Sequence, residues 1–479
     1  MKKIIIAILA LFTIYSCQDY LNVKPENVMT VSSYQDVKSL LGGHLKSFQD
    51  GDTRQALSNV PIFFSDNKDY LITHFYSDDY DLEKYLDNYM GRNNRGDFQK
   101  SQDWKHPDIN EQIWKTGFKS IGFYNMVLFE LDKVKASEDE RNIIKGEVKT
   151  LRAWNFFRLL QFFSPYHNNS LGLPLNTNPD KVGDYDKSRK SQVENYDFII
   201  NELEEVLNYK TKPKQGYNIF YDKKIVHALL AQVYLYKGDS GAKAATDYEK
   251  AIAHAQKAME GRLSLEEISR NPTENESYGI NKEKTYSLLS FMYNDTNRIF
   301  NLVGMPAWGM FQYASDELFS LFDENDKRTD LYFNKDKGIL KFESEFQYSY
   351  CKWDFFTASE MQLIIAESYA RKGDEENAKR ALKVFTDSRY NKYLSKENLS
   401  TLDKILIERR KEFCFDYCMR WIDLTRLQKG FKHKSVGKKK DQKEFFELSN
   451  GDFRFCMPIP KSGELQNNKI EQNPGWGNF

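Results

Sequence analysis

The chain has 479 residues, and its 69 lysines and arginines balance its 69 aspartates and glutamates. A balanced chain has no broad positive field, which argues against nucleic acid as a partner. A chain this long buries a substantial core without disulfide staples, in one large domain or two to three ordinary ones, so its five cysteines do not define the fold.

The first element is "MKKIIIAILALFTIYSC". Lys2 and Lys3 precede an apolar run from Ile4 to Ile14, well short of the ~18 residues that a bilayer-spanning helix needs. A basic start, a short apolar core and a small residue before the break describe an export signal. The usual small-x-small cleavage site is missing. Ser16 directly before Cys17 fits the lipobox of bacterial lipoproteins, cut before Cys17 and acylated on it, although Tyr15 is bulky for its slot. A plain secretory signal and a short anchor are the alternatives. One acyl chain holds a protein only marginally, at roughly 0.8 kcal/mol per buried methylene, so durable retention takes two or more chains. No second segment approaches membrane-spanning length.

Residues 44–107 are rich in Asn, Asp, Tyr, Trp and Gly without a sustained period. They read as loops that a scaffold presents. Within them "YSDDYDLEKYLDN" gathers Asp78, Asp79, Asp81 and Glu83. Two carboxyls on opposite sides of a glycosidic bond would suit hydrolysis, but adjacent acids in one loop cannot be given that geometry from sequence. A calcium loop would want a glycine after the acids, and none follows. A solvated acidic loop is the expectation, a ligand-contacting loop the second.

Helical periodicity then takes over. Ile113, Phe118, Ile121, Tyr124, Leu128 and Leu131 form one stripe, and Ser137 with Glu140 forms a capping box before the next run. "NYDFIINELEEVL" is a third amphipathic run. Helix pairs are expected at about 111–163, 194–238, 246–260 with a partner, and 358–389. Two stretches share one spacing of small and aromatic residues. Ala366, Tyr369, Gly373, Ala378, Leu382 and Phe385 follow the intervals of a tetratricopeptide unit, in which small residues let antiparallel helices approach closely. Ala231, Tyr234 and Gly238, then Ala251, Ala255 and Ala258, repeat most of them with eight extra residues between the halves. Thr357 and Glu360 suggest a capping box before the clearer unit. Residues 270–356 are a second aperiodic segment. "KHKSVGKKKDQK" (Lys432–Lys443) reads as a solvated basic loop. Cys351, Cys414, Cys418 and Cys456 read as buried free thiols, with no zinc-site spacing.

Catalytic signatures are absent: no Walker loop, no dinucleotide glycine fingerprint, no His-Glu-x-x-His and no Gly-x-Ser-x-Gly elbow. "SDN" at Ser65–Asn67, "KTG" at Lys115–Gly117 and Ser349-x-x-Lys352 mimic a penicillin-recognising enzyme in the wrong order, with "KTG" in a helical pattern.

The C-terminal third carries a family resemblance. "ERRKEFCFDYCMRWIDLTRL" resembles the helix of SusD/RagB outer-membrane nutrient-binding lipoproteins at Glu408, Arg409, Glu412, Arg420, Trp421, Asp423, Leu424 and Arg426. It departs by one extra residue and by Asp416-Tyr417 where Glu-Gly is usual. Charges three or four apart (Arg409 with Glu412, Asp416 with Arg420, Asp423 with Arg426) are expected to pair along it. The tail Pro458–Pro460, Glu464, Asn468 and Gln472–Trp476, the "DKR" at Asp326–Arg328, "SEMQLIIAES" and the "DYLNVKP" after Cys17 are similar to further family features.

The resemblance implies a mostly α fold, a SusD-like fold in which tetratricopeptide-like helix pairs scaffold a loop-rich binding portion. It implies a signal peptide at 1–16 and one domain over 17–479, with scaffold at about 111–260 and 358–427 and binding segments at about 44–107 and 270–356. It further implies a lipoprotein on the outer face of the outer membrane, anchored through acylated Cys17. There it would bind a nutrient, most often an oligosaccharide and in some members peptide, and pass it to a SusC-like TonB-dependent transporter. Neither catalysis nor a cofactor is implied; an anchored hydrolase using Asp78–Glu83 is the outside alternative. By location, Trp104 and Trp308 are candidate stacking surfaces, Tyr293 a second aromatic, and Arg92, Asp103 and Asn294 polar contacts. Trp114, Trp154, Trp353 and Trp421 are assigned to packing.

Overall fold

A computed structural model describes residues 31–46, 76–84, 102–105, 107–179, 186–261, 263–265, 279–281, 285–293, 304–305, 310–311, 313–334, 339–340, 351–416, 418–436, 443–461, 465 and 468–477. Helix α1 (Tyr34–Lys46) is followed by α2 (Pro107–Lys133), α3 (Glu138–Phe163), α4 (Gln192–Asn208), α5 (Lys223–Lys237) and α6 (Asp247–Met259). Strands β1 (Gly279–Asn281) and β2 (Ser287–Tyr293), the short ladders β3–β4 (Gly304–Met305, Met310–Phe311) and β5–β6 (Phe333–Asn334, Ile339–Leu340), and β7 (Cys351–Thr357) come next. Two short helices, α7 (Asp316–Phe319) and α8 (Lys327–Tyr332), lie between the two ladders. The chain closes with α9 (Ala358–Arg371), α10 (Glu375–Arg389), α11 (Thr401–Glu412), α12 (Met419–Leu427) and the hairpin β8–β9 (Phe431–Val436, Lys443–Leu448).

Local signals set these boundaries. Pro107 opens α2, where its missing N–H costs nothing. Ser137 and Glu140 cap each other's backbone at α3, and Ser191 with Glu194 does the same at α4. At α9 only half of the expected box forms. Thr357 accepts from the Glu360 N–H, but the Glu360 carboxylate faces inward and takes a hydrogen bond from Gln232 at 2.8 Å.

Helix α3 is the spine. From Thr150 to Phe163 every residue is buried, so its charged side chains rely on partners inside the protein. Arg152 does so with Glu202 (2.6 and 2.8 Å) and Asn125 (2.8 Å). The helices form a row: α2 on α3, α3 on α4, α4 on α5, α5 on α6, α6 on α9 and α9 on α10. The two tetratricopeptide-like units are therefore α5–α6 and α9–α10, and they stack through α6 and α9. Ala231, Ala251, Ala255, Ala258, Ala366 and Ala378 are buried in the seams. The two glycines serve differently. Gly373 turns the chain at φ +79°, whereas Gly238 makes room for the Tyr248 ring, which a Cβ there would meet at 2.5 Å. The "KTG" tripeptide is helical, inside α2. Trp114, Trp154 and Trp421 are core residues; the Trp353 side chain lies outside the described set. Cys414, Cys418 and Cys456 are buried thiols.

Part of the second aperiodic segment has regular structure. Strands β1, β2 and β7 form an antiparallel sheet, with Ser290 opposite Asp354 and Phe291 opposite Trp353. Strand β7 runs directly into α9, so the sheet is tied to the scaffold.

The Glu408–Leu427 segment corrects the expectation of one helix. It breaks after Glu412 and restarts at Met419, with Phe415 and Cys418 at positive φ (65° and 57°). The break redirects the charges. Arg409 pairs with Asp423 at 2.8 Å across the two helices, and Glu412 pairs with Arg389 (2.8 Å) and Arg328 (3.1 Å). Arg420 reaches Asp78 at 2.6 Å. Of the three pairs expected along a single helix, only Asp423–Arg426 forms as drawn, at 2.9 Å.

Candidate functional site

An open cavity of about 560 Å³ lies where three chain segments meet: residues 78–84, residues 315–317 at the start of α7, and the β8–β9 hairpin. Both aperiodic segments thus contribute to it, and none of its lining comes from the stacked units α5–α6 and α9–α10. The first two segments are stitched by backbone. Tyr80 bridges Ala314, Asp81 N–H donates to Tyr313 O (2.9 Å), and Ser315 N–H donates to Asp79 O (2.8 Å). Ser315 Oγ also donates to Asp78 O at 2.7 Å while accepting from Leu318 N–H to cap α7.

Two arginines hold the loop from beneath. Arg420 grips both oxygens of Asp78 through Nε (2.6 Å) and Nη2 (2.8 Å). Arg410 donates to Asp79 Oδ1 (3.1 Å) and to Asp78 O (2.8 Å). Burial alone would push the Asp78 carboxyl up, but the Arg410 and Arg420 guanidiniums overcome it and hold it well below the usual carboxylate range. Asp79, 1% exposed, is pushed up instead, by burial and by the adjacent Asp78 charge. These two carboxylates are anchors. Both reach the same Arg410 guanidinium, Asp78 Oδ2 at 3.2 Å and Asp79 Oδ1 at 3.1 Å.

The hairpin supplies the third wall. Residues 432–443 were expected to form a solvated loop; 432–436 and 443 instead lie in paired strands, with Lys434 opposite Phe445 and Lys432 opposite Glu447. Alternation sends His433 and Ser435 inward and leaves Lys432, Lys434, Phe445 and Glu447 exposed. Phe445 is 58% exposed, with Lys432 Nζ 5.0 Å above its ring centroid. His433 is buried, which depresses its pKa to about 4 and keeps it neutral at physiological pH.

Trp104 joins two of the walls. Its Nε1–H donates to Tyr76 O at 3.1 Å, its ring stacks on His433 at 5.0 Å, and Arg454 lies 5.3 Å from it. At 2% exposure and with both neighbours in place, it shows no face to a sugar. It packs the cleft from behind, because its 102–105 segment tucks under the hairpin, where His433 Nε2 meets Gln102 O at 3.3 Å. Asp103 is half-buried and pairs with Lys105 at 3.7 Å, away from the cavity lining. Tyr293 ends β2 opposite Cys351, and its side chain is outside the described set. Arg92, Asn294, Trp308 and Cys17 lie outside the described residues. Among the lining residues missed from sequence are the hairpin phenylalanines Phe431 and Phe445, the hairpin lysines Lys432 and Lys434, Arg410 and the α7 carboxylates Asp316 and Glu317.

Among the described residues no group of His, Cys, Asp or Glu side chains is arranged to hold a metal, and no helix is long and apolar enough to cross a membrane.

Residues 19–235 match the family model described as "Starch-binding associating with outer membrane", and residues 323–476 match the model of the SusD family, SusD/RagB. The chain belongs to the SusD/RagB family. Solved SusD proteins share its fold. A SusD superfamily protein from Bacteroides thetaiotaomicron is 20% identical with a TM-score of 0.66, covering 92% of this chain and 100% of that one. A SusD-like carbohydrate binding protein from Bacteroides vulgatus is 17% identical (TM-score 0.63, 92% and 97% covered). A sugar binding protein from the same species, so described, is 19% identical (TM-score 0.64, 94% and 100% covered). No curated protein matches the chain. Within this SusD-family chain, the cavity falls between the two matched regions and the segment joining them: 78–84 lies in the first, Arg410 and the hairpin in the second, and 315–317 between.

Proposed function

We propose that this SusD-family protein binds an oligosaccharide at the cleft between residues 78–84 and the β8–β9 hairpin and delivers it to a SusC-like TonB-dependent transporter. The mature unit would be 17–479, held at the outer face of the outer membrane by acylated Cys17, with 1–16 removed. The observation that carries the binding reading is the cleft itself. It is concave, built from both loop-rich segments on arginine-braced backbone, and it carries an exposed aromatic ring beside several polar side chains. Sugars require that combination, a flat apolar face with convergent hydrogen-bonding groups. Arg92, Tyr293, Asn294 and Trp308 are retained as candidate contacts by their place in the same two segments. The reading assigns no chemical step to the protein, since Asp78 and Asp79 are committed to arginines.

The charges of both signs around the cleft also suit a peptide, which is the second reading. Residues 18–479, made without the lipid site, decide between the two when presented to immobilised glycans and to a peptide mixture. Retention by at least one glycan supports the first reading. Retention by peptides alone replaces it. Cys17→Ser in the full chain tests the anchor: the variant is expected in the soluble fraction, and unchanged membrane retention would contradict acylation.

A further inference from the structure

The sequence from Lys432 to Lys443 concentrates six lysines against one aspartate in a chain whose overall charge is zero. Three of those lysines, Lys432, Lys434 and Lys443, are described, and they stand on the hairpin that forms one wall of the cleft. The opposite wall is rich in carboxylates, and three of them, Asp78, Asp81 and Glu83, each have a cation close by. Asp78 is held by Arg410 and Arg420. Asp81 pairs with Lys84 at 3.0 Å, and the same lysine approaches Asp316 at 3.6 Å. Glu83 is taken by Lys443 at 2.6 Å. Asp316, 87% exposed and sharing Lys84 with Asp81, and Glu317, with no partner among the described residues, are the lining carboxylates left weakly matched at the outer edge of that wall.

The hairpin wall carries its unmatched charge with the opposite sign. Lys434 has no ion-pair partner among the described residues, and Lys432 has only Glu447, at 4.0 Å with both side chains more than half exposed. Such an exposed pair contributes little and yields readily to a better-placed anion. Lys432 Nζ also hovers over the Phe445 ring. A neutral sugar stacking on Phe445 would have to displace that ammonium without replacing its charge interaction, whereas a sugar bearing an acid group would turn it into an ion pair.

Resting on the oligosaccharide reading above, we infer that the cleft takes polyanionic glycans, chains bearing carboxylate or sulfate, whose acid groups meet Lys432 and Lys434 while a sugar ring lies against Phe445. Lys84 and Lys443 offset Asp81 and Glu83 on the opposite wall. Affinity then falls as salt rises, because exposed ammonium groups are screened.

The test is titration of residues 18–479 with polygalacturonate and with a sulfated polysaccharide, using neutral amylose and dextran and phosphatidylglycerol vesicles as the other arms. Binding to one of the polyanions is expected, weakened by added salt. The double variant Lys432→Glu, Lys434→Glu is expected to lose about tenfold or more, as charge reversal at an interface does. Phe445→Ala should also weaken binding, and unchanged circular dichroism would show both variants folded. Equal binding to amylose or dextran, unmoved by the double reversal, overturns the inference while sparing the oligosaccharide reading. Binding to the vesicles and not to the soluble polyanions overturns it too, by assigning the lysines to a lipid surface. Absence of binding to any glycan ends both.

Discussion

Two regions of this molecule are built from the same residue types and put them to opposite use. Around α8, α10 and α11, Arg328 holds Asp326 (2.9 Å), Glu408 (2.6 Å) and Glu412 (3.1 Å), while Lys411 and Arg389 close the ring on Asp326 and Glu412. Every one of these side chains is nearly or fully buried, and Tyr390 adds its hydroxyl to Glu408 at 2.6 Å. At the cleft, Lys432, Lys434 and Glu317 stand in water with weak partners or none among the described residues. Charge saturated by charge fixes geometry. Charge left over is available to a ligand.

The comparison breaks first at Arg328. Removing one partner of a buried ion network strands the others, so Arg328→Ala is expected to cost about 3–5 kcal/mol in denaturant unfolding. A loss below ~1 kcal/mol would mean that the network is not what holds these helices.

A smaller effect concerns acid. Burial opposes ionisation of Glu412, but Arg389 and Arg328 outweigh it and hold the carboxyl at about 2, below its ordinary 4.5. A depressed folded pKa contributes stability above the unfolded value, lost as pH falls from about 4.5 towards 2. Glu147 and Glu360, raised chiefly by burial, act with the opposite sign. The useful quantity is therefore a difference: the wild type should lose more stability across that window than Glu412→Gln. Equal slopes would contradict the assignment.

Trp104 joins two walls of the cleft. Trp104→Phe keeps an aromatic ring beside His433 but deletes the donor to Tyr76 O, a loss of about 1 kcal/mol. Amide exchange is expected to rise in residues 76–84 and stay unchanged in the hairpin; a rise confined to the hairpin would misplace the role of Trp104. Smallest of all, Lys434→Glu should change stability by less than ~0.5 kcal/mol, as exposed substitutions do. A large destabilisation would move Lys434 into the structural class.

Much of this could be read from the chain. The tetratricopeptide-like units were legible because close helix packing demands small residues at fixed intervals, and Ala231, Ala255, Ala366 and Ala378 satisfy that demand in both places. The Ser137 box was legible because capping is local. The charge partners of the Glu408–Leu427 segment were not. Pairing along a helix is set by spacing, but Phe415 and Cys418 at positive φ break the helix, so Arg409 and Arg420 find partners that spacing does not reveal. The cleft was legible in part. Its two aperiodic segments stand out by composition, while the alternation of Lys432, His433 and Lys434 is masked by the density of lysine around it. Trp104 illustrates the limit: a tryptophan in a binding segment reads the same whether it faces ligand or backs the wall.

The central claim is that ligand occupies the space between residues 78–84, residues 315–317 and the hairpin. Hydrogen exchange of residues 18–479, with and without a saturating glycan retained in the binding screen, tests it most directly. Protection is expected to appear together in 76–84, 313–317 and 431–448, with α5–α6 and α9–α10 unchanged. Protection confined to the stacked helix units, with those three segments exchanging as before, would place the ligand elsewhere and contradict the account.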